Sequence, residues 1–196
     1  MITTIHSERL DLVSLTPEFL RAMLRHDLAE AERILGFPLP EGLIDSKHVM
    51  ARKLDQLIVD PSLQPWLMRA LVLRERRVMV GCIGFRTAPG AEYLQPYSPG
   101  GVEFGFTVYP PFLRQGYARE ASKALMHWAH QVHGVTRFVM IIRPDNTASQ
   151  ALAAGLGFVR IGSHIDEVDG LEDILEHRLS HDDAASSPIT SPNSDS

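Results

Sequence analysis

Cysteine is almost absent from this chain of 196 residues, in which Cys82 is the only one. A single thiol cannot pair within the chain, so a disulfide-stabilised scaffold is excluded. A strong excess of one charge is also lacking, because 24 acidic residues stand against 19 basic ones and the formal net charge is −5. A mildly acidic chain has no overall attraction to phosphate polymers, and we expect no nucleic-acid partner.

Long hydrophobic runs are missing as well. A membrane-spanning helix needs an apolar stretch of roughly 18–20 residues, and the sequence contains none. Residues 1–8 also lack the basic and apolar segments of a secretory signal. We therefore expect a cytoplasmic protein with no membrane partner.

The length and the composition of the last residues indicate one folded domain. A typical domain has roughly 100–200 residues. Residues 181–196 consist mainly of Asp, Ala, Ser, Pro, Thr and Asn, and Ile189 is their one large apolar residue. So little apolar surface cannot offset the entropy of ordering. We expect a single domain over residues 1–180 and a disordered tail over residues 181–196.

Hydrophobic periodicity divides the chain into strands and helices. Alternation over residues 8–15 predicts a strand, and Thr16 followed by Pro17 predicts the start of a helix. Further helices are predicted over residues 46–57, after Gly116 and over 147–156, with a loop over 37–42. Further strands are predicted over residues 66–73, 78–85, 102–108, 138–142, 158–161 and 174–179. This order predicts an α/β or α+β fold with one central mixed sheet.

The junction between the strand over 102–108 and the following helix carries the most informative motif. Gly116 and Ala118 are small residues placed where the helix begins. A helix N-terminus offers unpaired N–H groups to a phosphate, and small residues let the phosphate approach. On these residues alone, the alternative that Gly116 shapes a loop and Ala118 packs stays open. The dinucleotide fingerprint, with its three spaced glycines, is absent.

A second segment completes a pattern that resembles the GNAT acetyltransferase superfamily. Residues 113–118 resemble the family's pyrophosphate loop, which has Gln or Arg first, Gly fourth and Gly or Ala sixth. Asn146 to Ser149, followed by Gly157 and Phe158, resembles its second coenzyme segment. Residues 7–18 are similar to the opening of the branch that acetylates N-terminal residues of ribosomal proteins. The resemblance covers residues 3–179.

The resemblance implies a single GNAT-type domain in which helices flank a mostly antiparallel mixed sheet with splayed strands. It also implies that acetyl-CoA is the co-substrate and that its acetyl group passes directly to a primary amine. The pantetheine arm would pair with the splayed strand, whose N–H groups would polarise the thioester carbonyl. The coenzyme contacts that the resemblance implies are Phe106, Thr107, Val108, Arg114, Gln115, Gly116, Tyr117, Ala118, Arg119, Asn146 and Ser149.

Two positions depart from the family pattern. Leu113 stands where Gln or Arg is common, which matters little because backbone amides do most of the binding in this loop. Ala153 stands where many members have the tyrosine that reprotonates the leaving thiolate. We expect Ser149, or a water held by Asn146, to serve instead.

Glu103 is the candidate general base. It aligns with a glutamate that several family members use, and it stands in an otherwise apolar strand. The alternative is an outward-facing residue at a sheet edge, paired with a neighbouring cation.

We expect neither a metal site nor a nucleophilic thiol. His127, His130 and His133 have helical spacing, but no cysteine or carboxylate pattern completes a ligand set. Cys82 lies in an apolar strand, as a buried small residue does.

The acceptor is expected between the early helices, the loop around residues 37–44 and the long loop over residues 87–100. Glu92, Tyr93 and Tyr97 in the long loop suit a cationic amine or a peptide N-terminus. The branch resemblance favours the α-amine of a protein or peptide over a polyamine or an aminoglycoside. A catalytically silent acetyl-CoA sensor and a flavodoxin-like nucleotide binder are the competing hypotheses. Relatives suggest a monomer or a homodimer.

Overall fold

The computed structural model describes residues 3–40, 47–168 and 170–179. In that part of the chain there are five α-helices, which are α1 Pro17–Leu24, α2 Leu28–Leu35, α3 Lys47–Val59, α4 Tyr117–His133 and α5 Thr147–Gly155. The eight strands are β1 Ile5–His6, β2 Leu10–Ser14, β3 Arg69–Leu73, β4 Val78–Phe85, β5 Val102–Val108, β6 Arg137–Ile142, β7 Val159–Asp166 and β8 Gly170–Arg178. The tail expected over residues 181–196 lies outside the described residues.

All eight strands form one sheet in the order β1-β2-β3-β4-β5-β6-β8-β7. Only β5 and β6 run parallel, and the other neighbours are antiparallel. The expected mixed, mostly antiparallel sheet is therefore confirmed. A flavodoxin-like fold is excluded, because it requires a mostly parallel sheet.

Strands β5 and β6 separate after a short paired stretch. They pair only at Val102 with Phe138 and at Glu103 with Val139. On its other side, β5 pairs with β4 from Phe104 as far as Val108. From residue 104 onward, the edge of β5 that faces β6 therefore has no ladder partner among the described strands. The expected splay is present, and it opens a cleft in the middle of the sheet.

Helices cover both faces of the sheet because its central strands are apolar on both sides. In β3, Leu71 packs in the cluster that contains Leu125 of α4, whereas Val72 packs in the cluster that contains Phe19 of α1. Successive strand residues point to opposite faces. Helices α1 to α3 therefore lie on one face, and α4 and α5 lie on the other. No helix of the described residues is long and apolar enough to span a membrane.

Among the α-helices of the described residues, α2 is the one that the periodicity did not predict. Asp27 caps it by accepting a hydrogen bond from the Glu30 N–H at 3.1 Å, and Gly36 ends it with φ 77°. Only Ala31 and Leu35 are buried, so the apolar stripe is too thin to dominate the pattern. The cap, a Glu three positions later and the closing glycine were the available signals.

Some strand limits also differ from the prediction. Residues 66–68 are irregular, and β3 begins only at Arg69; their apolar side chains divide between the two core clusters, with Trp66 in one and Leu67 in the other. Strands β7 and β8 are longer than predicted and form a hairpin. Strand β7 is the last strand of the sheet, so none of its residues is fully buried and its apolar signal is weak. Of the predicted loop over residues 37–42, only 37–40 are described, and they are irregular.

Candidate active site

A cavity of about 400 Å³ occupies the cleft between β5 and β6. Its walls are the second half of β5, the ends of β4 and β6, the start of α5 and one side of α3. Of the predicted coenzyme contacts, the cavity brings together Phe106, Thr107, Asn146 and Ser149, whereas Val108 lies outside its lining. The unpaired edge of β5 gives this cavity a row of backbone donors and acceptors that can bind an extended ligand.

The predicted phosphate loop joins β5 to the start of α4 at Tyr117, as the sequence indicated. Arg114 and Gly116 have left-handed φ angles of 59° and 82°. Gly116 is the N-cap of α4 and supplies no side-chain hydrogen bond to the first turn. The amides of that turn, which begins at Tyr117, are therefore available to an anion.

Arg9 holds this loop from the N-terminal segment. Its Nη1 donates to the Gln115 carbonyl at 3.1 Å, and its guanidinium lies 4.6 Å from the centre of the Tyr117 ring. Glu120 accepts hydrogen bonds from the Arg9 backbone N–H at 2.6 Å, from Arg9 Nε at 2.7 Å and from the Ser7 hydroxyl at 2.6 Å. Partial burial raises the pKa of Glu120, but these hydrogen bonds outweigh it and leave the pKa below its usual value.

The other predicted loop side chains differ in what they can reach. Arg119 Nη2 donates to the Gly155 carbonyl at 2.9 Å, which ties α4 to the end of α5. Tyr117 is buried beneath Arg9, so only its amide faces the loop. Arg114 is exposed and makes no hydrogen bond or ion pair with any described residue. Ala118 is half-buried in the first turn of α4.

Glu103 lies at the mouth of the splay with both carboxylate oxygens occupied. Oε1 accepts from Arg86 Nε at 3.1 Å, and Oε2 accepts from the Tyr93 hydroxyl at 2.7 Å. The alternative of an outward-facing edge residue is wrong, because Glu103 is only 6% exposed and β5 is an interior strand. That alternative did anticipate a cation partner, which is Arg86.

A second cavity, of about 480 Å³, adjoins the first. The two share Lys53, Arg86, Glu103, Ile141 and Glu172. Helix α3 and the loop around Tyr93, two of the segments between which the acceptor was expected, line the second cavity. The β7–β8 hairpin also lines the second cavity. The sequence did not indicate this contact, because the two strands were predicted to be shorter than they are. Residues 41–44, also expected here, lie outside the described residues.

Lys53 is a buried cation on α3 that lines both cavities. It is 6% exposed, and its Nζ donates to the Arg86 carbonyl at 3.0 Å. Burial lowers the pKa of Lys53 to about 8; the cations Arg86 and Arg52 lower it further, and Glu103 opposes them. The sequence analysis missed this residue, although a lysine within the apolar stripe of α3 was a signal.

One group of described side chains could hold a metal ion. His164, Asp166 and Glu172 bring ligand atoms within 4.8 Å of one another on the β7–β8 hairpin. His164 Nε2 and Glu172 Oε2 are 3.4 Å apart. All three side chains line the second cavity, so they give one of its walls an acidic character that also suits a cationic amine.

Cys82 lines the first cavity, and its thiol is not ionised at neutral pH. Burial raises the pKa of this thiol to about 12, and the Tyr109 hydroxyl lies 3.7 Å from its Sγ. A thiol in that state is a poor nucleophile, which favours direct transfer over an acyl-cysteine.

Comparisons with known proteins agree with this geometry. The profile of the family described as Acetyltransferase (GNAT) domain matches residues 9–159. The FsC-acetyl coenzyme A-N(2)-transacetylase of Aspergillus fumigatus is 25% identical over 167 residues, which are 85% of this chain and 69% of that protein.

Solved structures share the fold at low sequence identity. The ribosomal L7/L12 alpha-N-protein acetyltransferase RimL, solved with coenzyme A, superposes with a TM-score of 0.63 at 17% identity, covering 93% of this chain and 99% of that one. The ribosomal-protein-S5-alanine acetyltransferase from Vibrio fischeri gives a TM-score of 0.59 at 11% identity, with 90% and 96% covered.

Proposed function

Because this chain belongs to the GNAT acetyltransferase family and is an acetyl-CoA-dependent enzyme, we propose that it acetylates a primary amine at the junction of its two cavities. The proposed acceptor is the N-terminal α-amine of a protein or peptide. As an acetyltransferase, the chain is not a silent sensor.

The observation that carries this proposal is the position of Glu103. Its carboxylate lines both the cavity in the splay and the adjoining cavity. An amine must lose a proton as it attacks a thioester, and a carboxylate at that junction can accept it directly or through one water. Arg86 and Tyr93 fix the carboxylate in place through its two oxygens.

The residues around the splay fit acetyl-CoA. The unpaired edge of β5 beyond Glu103 suits the amide groups of the pantetheine arm. An N–H among Phe106, Thr107 and Val108 would polarise the thioester carbonyl. The pyrophosphate would lie on the first turn of α4, where Arg114 carries an exposed charge without a described partner.

Ser149 is proposed to donate a hydrogen bond to the coenzyme sulfur. Its backbone N–H is fixed by Asn146 Oδ1 at 3.2 Å, and both residues line the cavity in the splay. Ala153, one turn further along α5, is fully buried and lines neither cavity. Replacing Ser149 with Ala should lower kcat by roughly tenfold. Unchanged turnover in this variant would remove Ser149 from the mechanism.

The proposed acceptor class is supported by the names of similar proteins and by the acidity of an α-ammonium group. RimL is named as an alpha-N-protein acetyltransferase, the Vibrio fischeri enzyme for an alanine of a ribosomal protein, and the Aspergillus relative as an N(2)-transacetylase. An α-amine with a pKa of about 7.7–8.0 is partly neutral near pH 7, unlike a lysine side chain. A small polyamine or aminoglycoside is the second candidate, because His164, Asp166 and Glu172 give the second cavity an acidic wall.

A thiol-release assay with acetyl-CoA tests the proposal. The acceptors are peptides that begin with Ala or Ser, the same peptides with a blocked N-terminus, spermidine and an aminoglycoside. We expect release with the free peptides and none above background with the blocked ones, and mass spectrometry should place the acetyl group on the α-nitrogen. Release with the small amines alone would overturn the peptide acceptor, and release with none of these acceptors would overturn both.

A further inference from the structure

Acetyl transfer leaves the coenzyme as a thiolate, and the described site contains a buried cation that the mechanism has not yet used. We propose that the ammonium of Lys53 contacts the coenzyme sulfur and is the net source of the proton that the leaving thiolate takes up. This inference rests on the proposed amine acetylation. A serine hydroxyl is too weak an acid to give up a proton at neutral pH, so Ser149 alone cannot fill this role.

The position of Lys53 supports the assignment. It reaches the splay from α3, across the cavity from Ser149 on α5, and it lines both cavities. Its Nζ makes one hydrogen bond to a described residue, to the Arg86 carbonyl. An ammonium has three donors, so two remain for ligands in the cavities.

The aliphatic part of the Lys53 side chain is fixed by packing, which restricts the position of its ammonium group. Met50 and Leu54, its neighbours on the same face of α3, are buried in the core. Gln56 donates to the same Arg86 carbonyl at 3.2 Å. A buried charge costs free energy unless it has polar partners. The Lys53 ammonium can gain such partners from substrates bound in the cavity.

Charged and titratable groups surround Lys53 from every neighbouring element. Glu103 is the anion that raises its proton affinity, and Arg52 and Arg86 are the cations that lower it. The remaining groups that line the two cavities with it are Cys82, Tyr93, Arg143, His164, Asp166 and Glu172. Burial and the two cations prevail, and they lower the pKa of Lys53 to about 8, which makes its ammonium a stronger acid than that of an ordinary lysine. A general acid is most effective when its pKa lies near the operating pH.

The proton transfers balance over one catalytic turnover. The neutral amine nitrogen bonds to the carbonyl carbon and loses its proton to Glu103. The carbon–sulfur bond breaks with its electron pair on sulfur, and the Lys53 ammonium passes a proton to that sulfur. The proton on Glu103 then returns to neutral Lys53, so that amine and thioester have become amide and thiol.

Titration of bound coenzyme A tests the contact without any acceptor. The ultraviolet absorbance of the thiolate is measured against pH as the difference between the protein with bound coenzyme A and the protein alone. The midpoint of this titration gives the pKa of the bound thiol. A cation beside the sulfur should hold this pKa about one unit below its value in Lys53→Met. Gln56→Met, which loses a bond to the same carbonyl, and Lys123→Met, which removes an exposed lysine of α4, should match the wild type.

The pH dependence of kcat tests the proton donor. If Lys53 donates, kcat of the wild type falls above about pH 8 as the ammonium is lost. Lys53→Met should lose roughly 10²–10³-fold in kcat and lack this basic limb. Lys53→Arg should keep the low thiol pKa but not recover kcat, because a guanidinium does not release a proton. Thermal unfolding of each variant separates these effects from misfolding.

The outcomes separate this inference from the proposed function. An unshifted thiol pKa in folded Lys53→Met would overturn the contact, whether or not an acceptor has been found. A wild-type kcat that rises through pH 8 and stays high would overturn the role of donor, because it would make neutral Lys53 the active form. Failure of all amine acceptors would overturn the proposed function and, with it, the role of donor, while the titration still decides the contact.

Discussion

Arg9 and Glu120, 111 residues apart in the sequence, are joined by two hydrogen bonds, from the backbone N–H and the Nε of Arg9 to the two oxygens of Glu120. The same guanidinium donates to the Gln115 carbonyl in the phosphate loop. The N-terminal segment therefore holds the loop and the first turn of α4 in one arrangement. A loop that is already ordered loses less entropy when it binds an anion.

Replacing Arg9 with Met should weaken acetyl-CoA binding by about fivefold. The loop would keep its glycine and its amides but lose the side chain that orders it. Calorimetric titration measures the change in Kd, and kcat at saturating acetyl-CoA should change little. Arg33→Met is the matched control, because it breaks an exposed pair with Glu30 on α2. Equal changes in Kd for the two variants would contradict the role given to Arg9.

Gly116 and Gly134 flank the same helix with similar left-handed φ angles of 82° and 68°. Alanine at either position should cost about 1 kcal/mol of folding free energy, because the side chain disfavours that conformation. Only Gly116→Ala should also weaken acetyl-CoA binding, by roughly tenfold, since it lies where the pyrophosphate would approach. Urea unfolding and calorimetry measure the two effects. A parallel loss of affinity in Gly134→Ala would show that strain, and not the anion site, is responsible.

Glu103→Gln should lower kcat by roughly 10²–10³-fold and leave the Kd for acetyl-CoA unchanged. The amide keeps the size of the side chain but cannot accept the proton of the amine. Tyr93→Phe is the companion variant, because it removes one hydrogen bond to the carboxylate and keeps the carboxylate itself. We expect a smaller loss there, about threefold to tenfold. A loss of thermal stability in Glu103→Gln without a loss of kcat would assign Glu103 a structural role.

Glu176 should make the stability of the protein sensitive to acid. Burial raises its pKa, but hydrogen bonds from Ser98, Arg137 and Arg178 outweigh it and hold the pKa below that of an ordinary glutamate. Because the folded state binds this proton less readily than the unfolded state, its stabilisation is full above about pH 4.5 and is lost as pH falls through the folded pKa.

Glu176→Gln should therefore cost about 2–4 kcal/mol at neutral pH, where it leaves Arg137 without its buried partner. Urea unfolding between about pH 6 and pH 3 should show a shallower loss of stability in the variant than in the wild type. Glu30→Gln removes a half-exposed carboxylate at the surface of α2 and serves as the control. Parallel pH profiles for wild type and Glu176→Gln would contradict the assignment.

The sequence was sufficient for the fold class and for the junction at which α4 begins. Interior strands such as β4 and β6 are continuous apolar runs, and turns at Pro110 and Gly116 mark where elements end. The same local signals failed for β7, whose exposed edge position needs few apolar residues, and for α2, which buries only two side chains.

The site was only partly predictable because much of it is built from distant segments. Motif spacing led to Gly116, Asn146 and Ser149, whose local geometry is set by residues close to them in the sequence. Lys53 and Arg9 make hydrogen bonds to residues 33 and 106 positions away. No local pattern encodes such a contact, although a lysine in an apolar helix stripe marks a place to look.

Backbone amide hydrogen exchange, measured with and without acetyl-CoA, tests most directly where the coenzyme binds. We expect the amides of residues 104–108 in β5 and of residues 117–120 in α4 to exchange at least about tenfold more slowly with the ligand present. Exchange in α2 should not change. Unchanged exchange in both expected segments at saturating acetyl-CoA would contradict the placement of the coenzyme in the β5–β6 splay.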